Sequence, residues 1–132
     1  MKKIIDIKKF IIGLQTPLIE AIAGLNKRAD GHQFLLVVDS KEKLVGTVTD
    51  GDIRRALLAG HPMSTPVREF MNSSPRSMLN SRNEVDMLAE LNNRVFQITF
   101  LPILKSNGTV DCVLLNSFYD SPDNFALIMA GG

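Results

Sequence analysis

Two segments of this chain are copies of one another, offset by 66 residues with no gap between the frames. Residues 20–26 (EAIAGLN) lie over residues 86–92 (DMLAELN), and Phe34-Leu35 lies over Phe100-Leu101. Ala23 pairs with Ala89, Leu25 with Leu91, Asn26 with Asn92 and Ser40 with Ser106. A helix-like and a strand-like segment repeating at constant spacing mean one structural unit used twice, which restricts the fold before any local propensity is weighed. The copies differ where chemistry would sit. Thr49-Asp50-Gly51-Asp52 in the first becomes Leu115-Asn116-Ser117-Phe118 in the second, so hydroxyl and carboxylate groups give way to an apolar pair flanking two neutral polar residues.

The 132 residues, 45% of them hydrophobic, suit a compact chain that buries about two-thirds of its unfolded surface. A net charge of +1 with dispersed basic residues gives no electrostatic footprint for nucleic acid. The apolar runs fall well short of the roughly 20 residues that span a bilayer, so no membrane partner is expected. Residues 1–6 (MKKIID) lack the apolar core of a secretory signal, and a cytoplasmic location is expected. Cys112 is the one cysteine, inside the apolar run Val110–Leu115, and reads as a small buried hydrophobe. His32 and His61 have no partners at ligand spacing, so no metal site is expected.

Local patterning fills in the repeat. Residues 10–12 (FII) form a short strand candidate. Thr16-Pro17 reads as a helix start, a hydroxyl cap followed by proline, with Leu18, Ile19, Ile22 and Leu25 inward at helical spacing. Asp30-Gly31 closes that helix, and strands at 34–38 and 44–48 make a hairpin. A second helix over 53–58 is closed by Gly60 and Pro62. After the connector Ser64-Thr65-Pro66-Val67 and a helical turn over 67–71, the second copy repeats the order. It has a strand at Met78-Leu79, a helix over 83–94, and a hairpin of 100–104 and 110–115 turning at Asn107-Gly108. The expected fold is α/β (α+β), with tandem strand–helix–strand–strand–helix repeats packed about a pseudo-twofold axis. The expected boundaries are 1–63, 64–118 and a terminal piece, 119–132.

The run Leu36-Val37-Val38-Asp39, a turn, and then Leu44-Val45-Gly46-Thr47-Val48-Thr49-Asp50-Gly51-Asp52-Ile53 resembles the cystathionine-β-synthase-type (CBS) repeat, which ends its hairpin in Thr/Ser-x-x-Asp before a helix. Pro102-Ile103-Leu104 with 110–115, and the connector Thr65-Pro66-Val67-Arg68-Glu69-Phe70-Met71-Asn72, resemble the second repeat and the link between repeats. The resemblance covers about residues 4–118. It implies a disc-like pair with clefts between the copies, an AMP, ADP, ATP or S-adenosylmethionine ligand, a homodimer, and regulation of an attached enzyme or transporter. It also implies ribose contacts at Thr49 and Asp52, and a base-lining loop at Gln15 and Thr16.

The residues themselves allow two readings of that site. A carboxylate three residues after a hydroxyl, at a strand-to-helix junction, can accept both ribose hydroxyls in charge-assisted bonds of roughly 1.5–3 kcal/mol. The helix N-terminus favours phosphate, and Arg54 or Arg55 adds a guanidinium fork. Alternatively Thr49 or Asp50 only caps the helix, Asp52 answers its dipole, and the arginines form a solvated face. In the second copy Leu115 and Phe118 cannot accept a ribose bond, so that cleft is expected to lack nucleotide.

The sequence closes on a polar stretch, 119–124 (YDSPDN), then an apolar strand running into glycines, 125–132 (FALIMAGG). A strand opening onto glycines is how phosphate-cradling loops begin. Ala130-Gly131-Gly132 resembles the first three residues of the Ala-Gly-Gly-x-Gly-Thr-Arg-Leu signature of sugar-phosphate nucleotidyltransferases. The expectation is a regulatory module followed by the first strand of a truncated catalytic domain. In that case Mg²⁺ and the active site lie in the missing part, and the module itself requires no cofactor. A terminal strand that joins the module's own sheet is the alternative. The competing functional class is a ligand-free dimerisation scaffold for the same enzyme.

Overall fold

The computed structural model describes residues 2–27, 33–80 and 100–115. The contacts divide the chain into two units, one formed by residues 8–75 and the other by residues 1–7 with 76–132. This division differs from the 63/64 boundary expected from the repeat: the N-terminal strand goes with the second copy, and the connector stays with the first.

The strands and helices of the first-copy unit are β2 (Ile11–Gly13), α1 (Leu18–Asn26), β3 (Phe34–Val38), β4 (Leu44–Thr49) and α2 (Asp50–Leu58). The second-copy unit holds β1 (Lys2–Ile4), β5 (Met78–Leu79), β6 (Phe100–Leu104) and β7 (Val110–Leu115). The helix expected over 83–94, the helix end at Asp30-Gly31 and the terminal strand over 125–132 lie outside the described residues.

The first sheet has the order β2-β3-β4, with β2 parallel and β4 antiparallel to β3. The second repeats it as β5-β6-β7, parallel then antiparallel, and adds β1 outside β7. Even the irregularity is copied. The register shifts between Val37 and Val38 in one hairpin and between Ile103 and Leu104 in the other, positions one repeat length apart. The outer edge is treated alike in both. Thr47 on β4 bridges Asn72 of the connector, and Val113, its counterpart on β7, pairs with Ile4 of β1. In each case the chain just before one copy supplies the edge strand or bridge of the other copy's sheet.

β3 is the centre of the first unit, with every residue buried. Leu35 and Val37 join Leu18, Ala21 and Leu25 of α1, Ile53 and Ala56 of α2, and Val48 and Val67 in one core. Phe34, on the alternate face, stacks on fully buried Phe10 with ring centroids 4.7 Å apart. Cys112 is buried with Leu101, Ile103 and Leu114, as its apolar setting suggested. Ile19, expected inward, is 51% exposed. Helical spacing defines a stripe, and Ile19 lies at its edge rather than its centre.

Helix ends follow from local chemistry. α2 closes in a Schellman arrangement: Gly60 sits at φ +83°, its N–H reaches the Leu57 carbonyl, and the His61 N–H reaches Ala56. α1 begins differently from expectation. Its N-cap is Pro17, without a side-chain cap. The Thr16 hydroxyl instead accepts from the Gly13 N–H at 3.2 Å. The Leu18 and Ile19 amides donate to the Thr65 and Met63 carbonyls at 2.8 and 3.0 Å. Connector backbone thus satisfies donors that a side chain would otherwise cap.

Two substitutions test this frame. A Cβ built on Gly46 would lie 2.5 Å from Met71 Sδ and 2.9 Å from the Asn72 carbonyl oxygen. Gly46→Ala should therefore destabilise by about 1–3 kcal/mol in a urea titration, because the connector backbone cannot yield as a side chain can. In the β3–β4 turn, the Asp39 carboxylate accepts the Lys41 and Lys43 amides at 2.8 and 3.0 Å. The Lys43 amide chiefly, then that of Lys41 and both lysine charges, hold its pKa below the ordinary value. A depressed carboxylate stabilises the fold above its unfolded-state pKa and loses that contribution as pH falls through the folded-state value. The urea midpoints of wild type and Asp39→Ala should differ at neutral pH and converge in acid.

Candidate functional site at the start of the second helix

β4 ends where its composition changes. Thr49 still pairs with Phe34, but Asp50-Gly51-Asp52 disfavours a strand and suits a helix N-terminus. Thr49 is extended, at φ −122° and ψ 175°, and serves as the N-cap of α2, with Asp52 at N3 completing a capping box. Helix α2 starts three residues before the expected position 53, because the two aspartates belong to its first turn.

Asp52 is the group on which the site converges. Only 6% exposed, its Oδ2 accepts the Thr49 N–H at 2.9 Å and the Thr49 hydroxyl at 3.1 Å. Its Oδ1 accepts Arg55 Nη2 at 2.6 Å. Arg55 comes from one turn further along the helix, with its side chain 72% exposed. Arg54 reaches back to Asp50 at 2.7 Å in a pair exposed at both ends, a contact of small energetic weight. The two arginines are therefore unlike: one closes a buried carboxylate, the other lies in solvent with its own partner.

Gln15 and Thr16 are not brought to this place. β2 runs parallel to β3 with Gly13 opposite Val38, whereas Thr49 is opposite Phe34. The two groups thus lie at opposite ends of β3, roughly 13 Å apart at strand rise. Gln15 is exposed, and the Thr16 carbonyl accepts the Val67 amide at 2.8 Å. The sheet register puts Phe10 at the Thr49 end, through its stack on Phe34, with Lys9 over its ring at 5.4 Å. The sequence signal was present in Lys8-Lys9-Phe10, but a turn before a short strand carries no periodicity to mark it.

In the second copy, Leu115 pairs with Phe100 and is buried. Asn116, Ser117 and Phe118 lie outside the described residues, as does His32. Among the described residues no cluster of three His, Cys, Asp or Glu is placed to hold a metal ion. No helix among them is long and apolar enough to cross a membrane.

Comparison with known proteins agrees with this architecture. The CBS domain family model matches residues 4–59, a span that includes both β4 and α2. The chain is 28% identical over 111 residues to arabinose 5-phosphate isomerase GutQ of Shigella flexneri, covering 83% of this chain and 33% of that protein. It thus spans about a third of the length of the curated relatives it matches first. Among solved structures, the cystathionine β-synthase pair domain of the putative Mg²⁺ transporter SO5017 from Shewanella oneidensis superposes with a TM-score of 0.70 at 16% identity. That match covers 98% of this chain and 72% of the other. The CBS domain protein PAE2072 from Pyrobaculum aerophilum, complexed with AMP, gives a TM-score of 0.67 at 20% identity, covering 92% and 91%. The fold is that of a CBS-domain pair, as the resemblance of its motifs implied.

The cap itself is testable without ligand. Thr49→Ala removes the hydroxyl that donates to Asp52 and should cost about 0.5–2 kcal/mol in urea unfolding. Thr49→Ser should restore most of it.

Proposed function

We propose that this chain is a regulatory module that binds an adenosine-type nucleotide at the β4–α2 junction of its first copy. The ribose hydroxyls are held by Asp52 and Thr49, with Arg55 at the phosphate. The observation that carries this reading is a buried carboxylate three residues after a hydroxyl, within the segment that matches the CBS domain model. The AMP complex of PAE2072, whose fold this chain shares, supports the choice of ligand class. The module acts on an attached enzyme of sugar-phosphate chemistry. Ala130-Gly131-Gly132 points to a nucleotidyltransferase, in which Mg²⁺ serves the catalytic domain, while the likeness to GutQ keeps the sugar phosphate but names a different reaction. The working form is a cytoplasmic homodimer.

A second reading has its own support. Asp52 is already hydrogen-bonded by three donors. Ile19 on α1, Leu57 and Leu58 on α2, and Met63 after it are 51%, 45%, 82% and 44% exposed. A capped helix beside exposed apolar side chains also describes a dimerisation scaffold that binds nothing.

Calorimetry and thermal shift with AMP, ADP, ATP, S-adenosylmethionine, GTP and a sugar nucleotide separate the two. One adenosine compound should stabilise wild type by about 2.7 kcal/mol at 100 times its dissociation constant, and Asp52→Ala and Asp52→Asn should abolish that shift. No shift with any compound, together with a sedimenting dimer that Leu58→Asp dissociates, would replace the sensor with the scaffold.

A further inference from the structure

The acceptor capacity of Asp52 leads to a further assignment, resting on the nucleotide reading above. A carboxylate offers about four lone-pair sites. Three donors already use them: the Thr49 amide, the Thr49 hydroxyl and the Arg55 guanidinium. A ribose diol brings two more O–H donors, one beyond what remains. One resident must leave when the diol docks.

The three residents are not equally free to go. The Thr49 amide is fixed by backbone at the end of β4, and its bond to Asp52 is half of the capping box. The Thr49 hydroxyl sits on the same residue, next to that amide. Arg55 is held at Asp52 by one contact of 2.6 Å, and its side chain is 72% exposed on a long flexible stem. Its departure leaves the helix cap intact. A guanidinium released there is a cation with five donors and needs an anion, and a phosphate on the same ligand supplies one in matching fork geometry. Arg54 is not poised in this way, because its partner is the exposed Asp50 rather than the ribose acceptor.

We propose that Arg55 is a specificity-determining latch: it holds the ribose acceptor and gives it up only to ligands that carry a phosphate. A nucleoside must break the Arg55–Asp52 pair and leaves the guanidinium without a new partner. A nucleotide breaks the same pair and takes the guanidinium onto its phosphate. The site therefore rejects adenosine in favour of AMP through a residue that touches both ends of the exchange.

The test is calorimetric titration of the full chain with AMP and with adenosine, in wild type, Arg55→Ala and Arg55→Lys, after urea unfolding shows that each variant folds. In Arg55→Ala, adenosine should bind more tightly and AMP more weakly, so that the ratio of their dissociation constants shrinks by about tenfold or more. Arg55→Lys should fall between, since an ammonium keeps the charge and loses the fork. If Arg55→Ala leaves that ratio unchanged, or weakens both ligands equally, the latch is overturned while the nucleotide site stands. If neither AMP nor adenosine binds wild type or Arg55→Ala, the nucleotide site falls and the latch with it.

Discussion

The first-copy unit depends on the backbone of the connector between the copies. Its carbonyls at Met63 and Thr65 receive the first amides of α1, and its amides at Val67 and Arg68 donate to Thr16 and Leu14. A few residues later Asn72 exchanges both backbone hydrogen bonds with Thr47 on β4. One stretch of chain thus closes the start of a helix, the loop before it and the far edge of the sheet. Buried or half-buried backbone groups left without such partners would each cost about 1–3 kcal/mol. This explains why Gly46 lies under Met71 and Asn72: the connector approaches β4 closely enough that a methyl group would obstruct it. It also explains why α1 needs no capping side chain.

Against that frame of fixed backbone, the β4–α2 junction is where side chains carry the polar chemistry. Burying a carboxylate is costly unless donors meet it, and Asp52 is met by three. The same donors that make the buried carboxylate tolerable are the ones a ligand would have to compete with. On the proposed reading, capping and binding are two uses of one group, and the balance between them rests on how easily the exposed donor moves aside. The second copy has no comparable choice at Leu115, which continues the apolar face of its hairpin.

Much of the fold was legible because the repeat supplied each element twice. The hairpins 34–38 with 44–48 and 100–104 with 110–115 could be read from β-branched and leucine runs set about polar turns, and in the structure the second strand runs one residue further, to Thr49. What stayed hidden was set by distant partners. Thr16-Pro17 has the form of a capped helix start, yet tertiary backbone took the cap's role and the hydroxyl turned to Gly13. Lys2–Ile4 carries too few residues to announce a strand, and only its pairing with β7 makes it one. At the site, Thr49 and Asp52 were readable from their spacing, and the structure joins them. Gln15 and Thr16 were placed by likeness alone, and the parallel register of β2 sends them to the other end of the sheet. The difference between Arg54 and Arg55 was invisible, since adjacent arginines on a helix are equivalent until their partners are known.

The pairing of β1 with β7 has a consequence for how the molecule is made. Lys2 lies opposite Leu115, so a ribosome releases the two members of this pair with all of residues 8–75 made in between. Until then the first copy, continuous from residue 8 to 75, has its own sheet, helices and connector to fold with, while β1 waits without its partner strand. Closing so long a loop carries an entropy cost that grows only slowly with length, but it cannot be met early. The order of assembly is therefore built into the topology: the unit of residues 8–75 can mature on its own, and β1 joins β7 only once the second hairpin has been made.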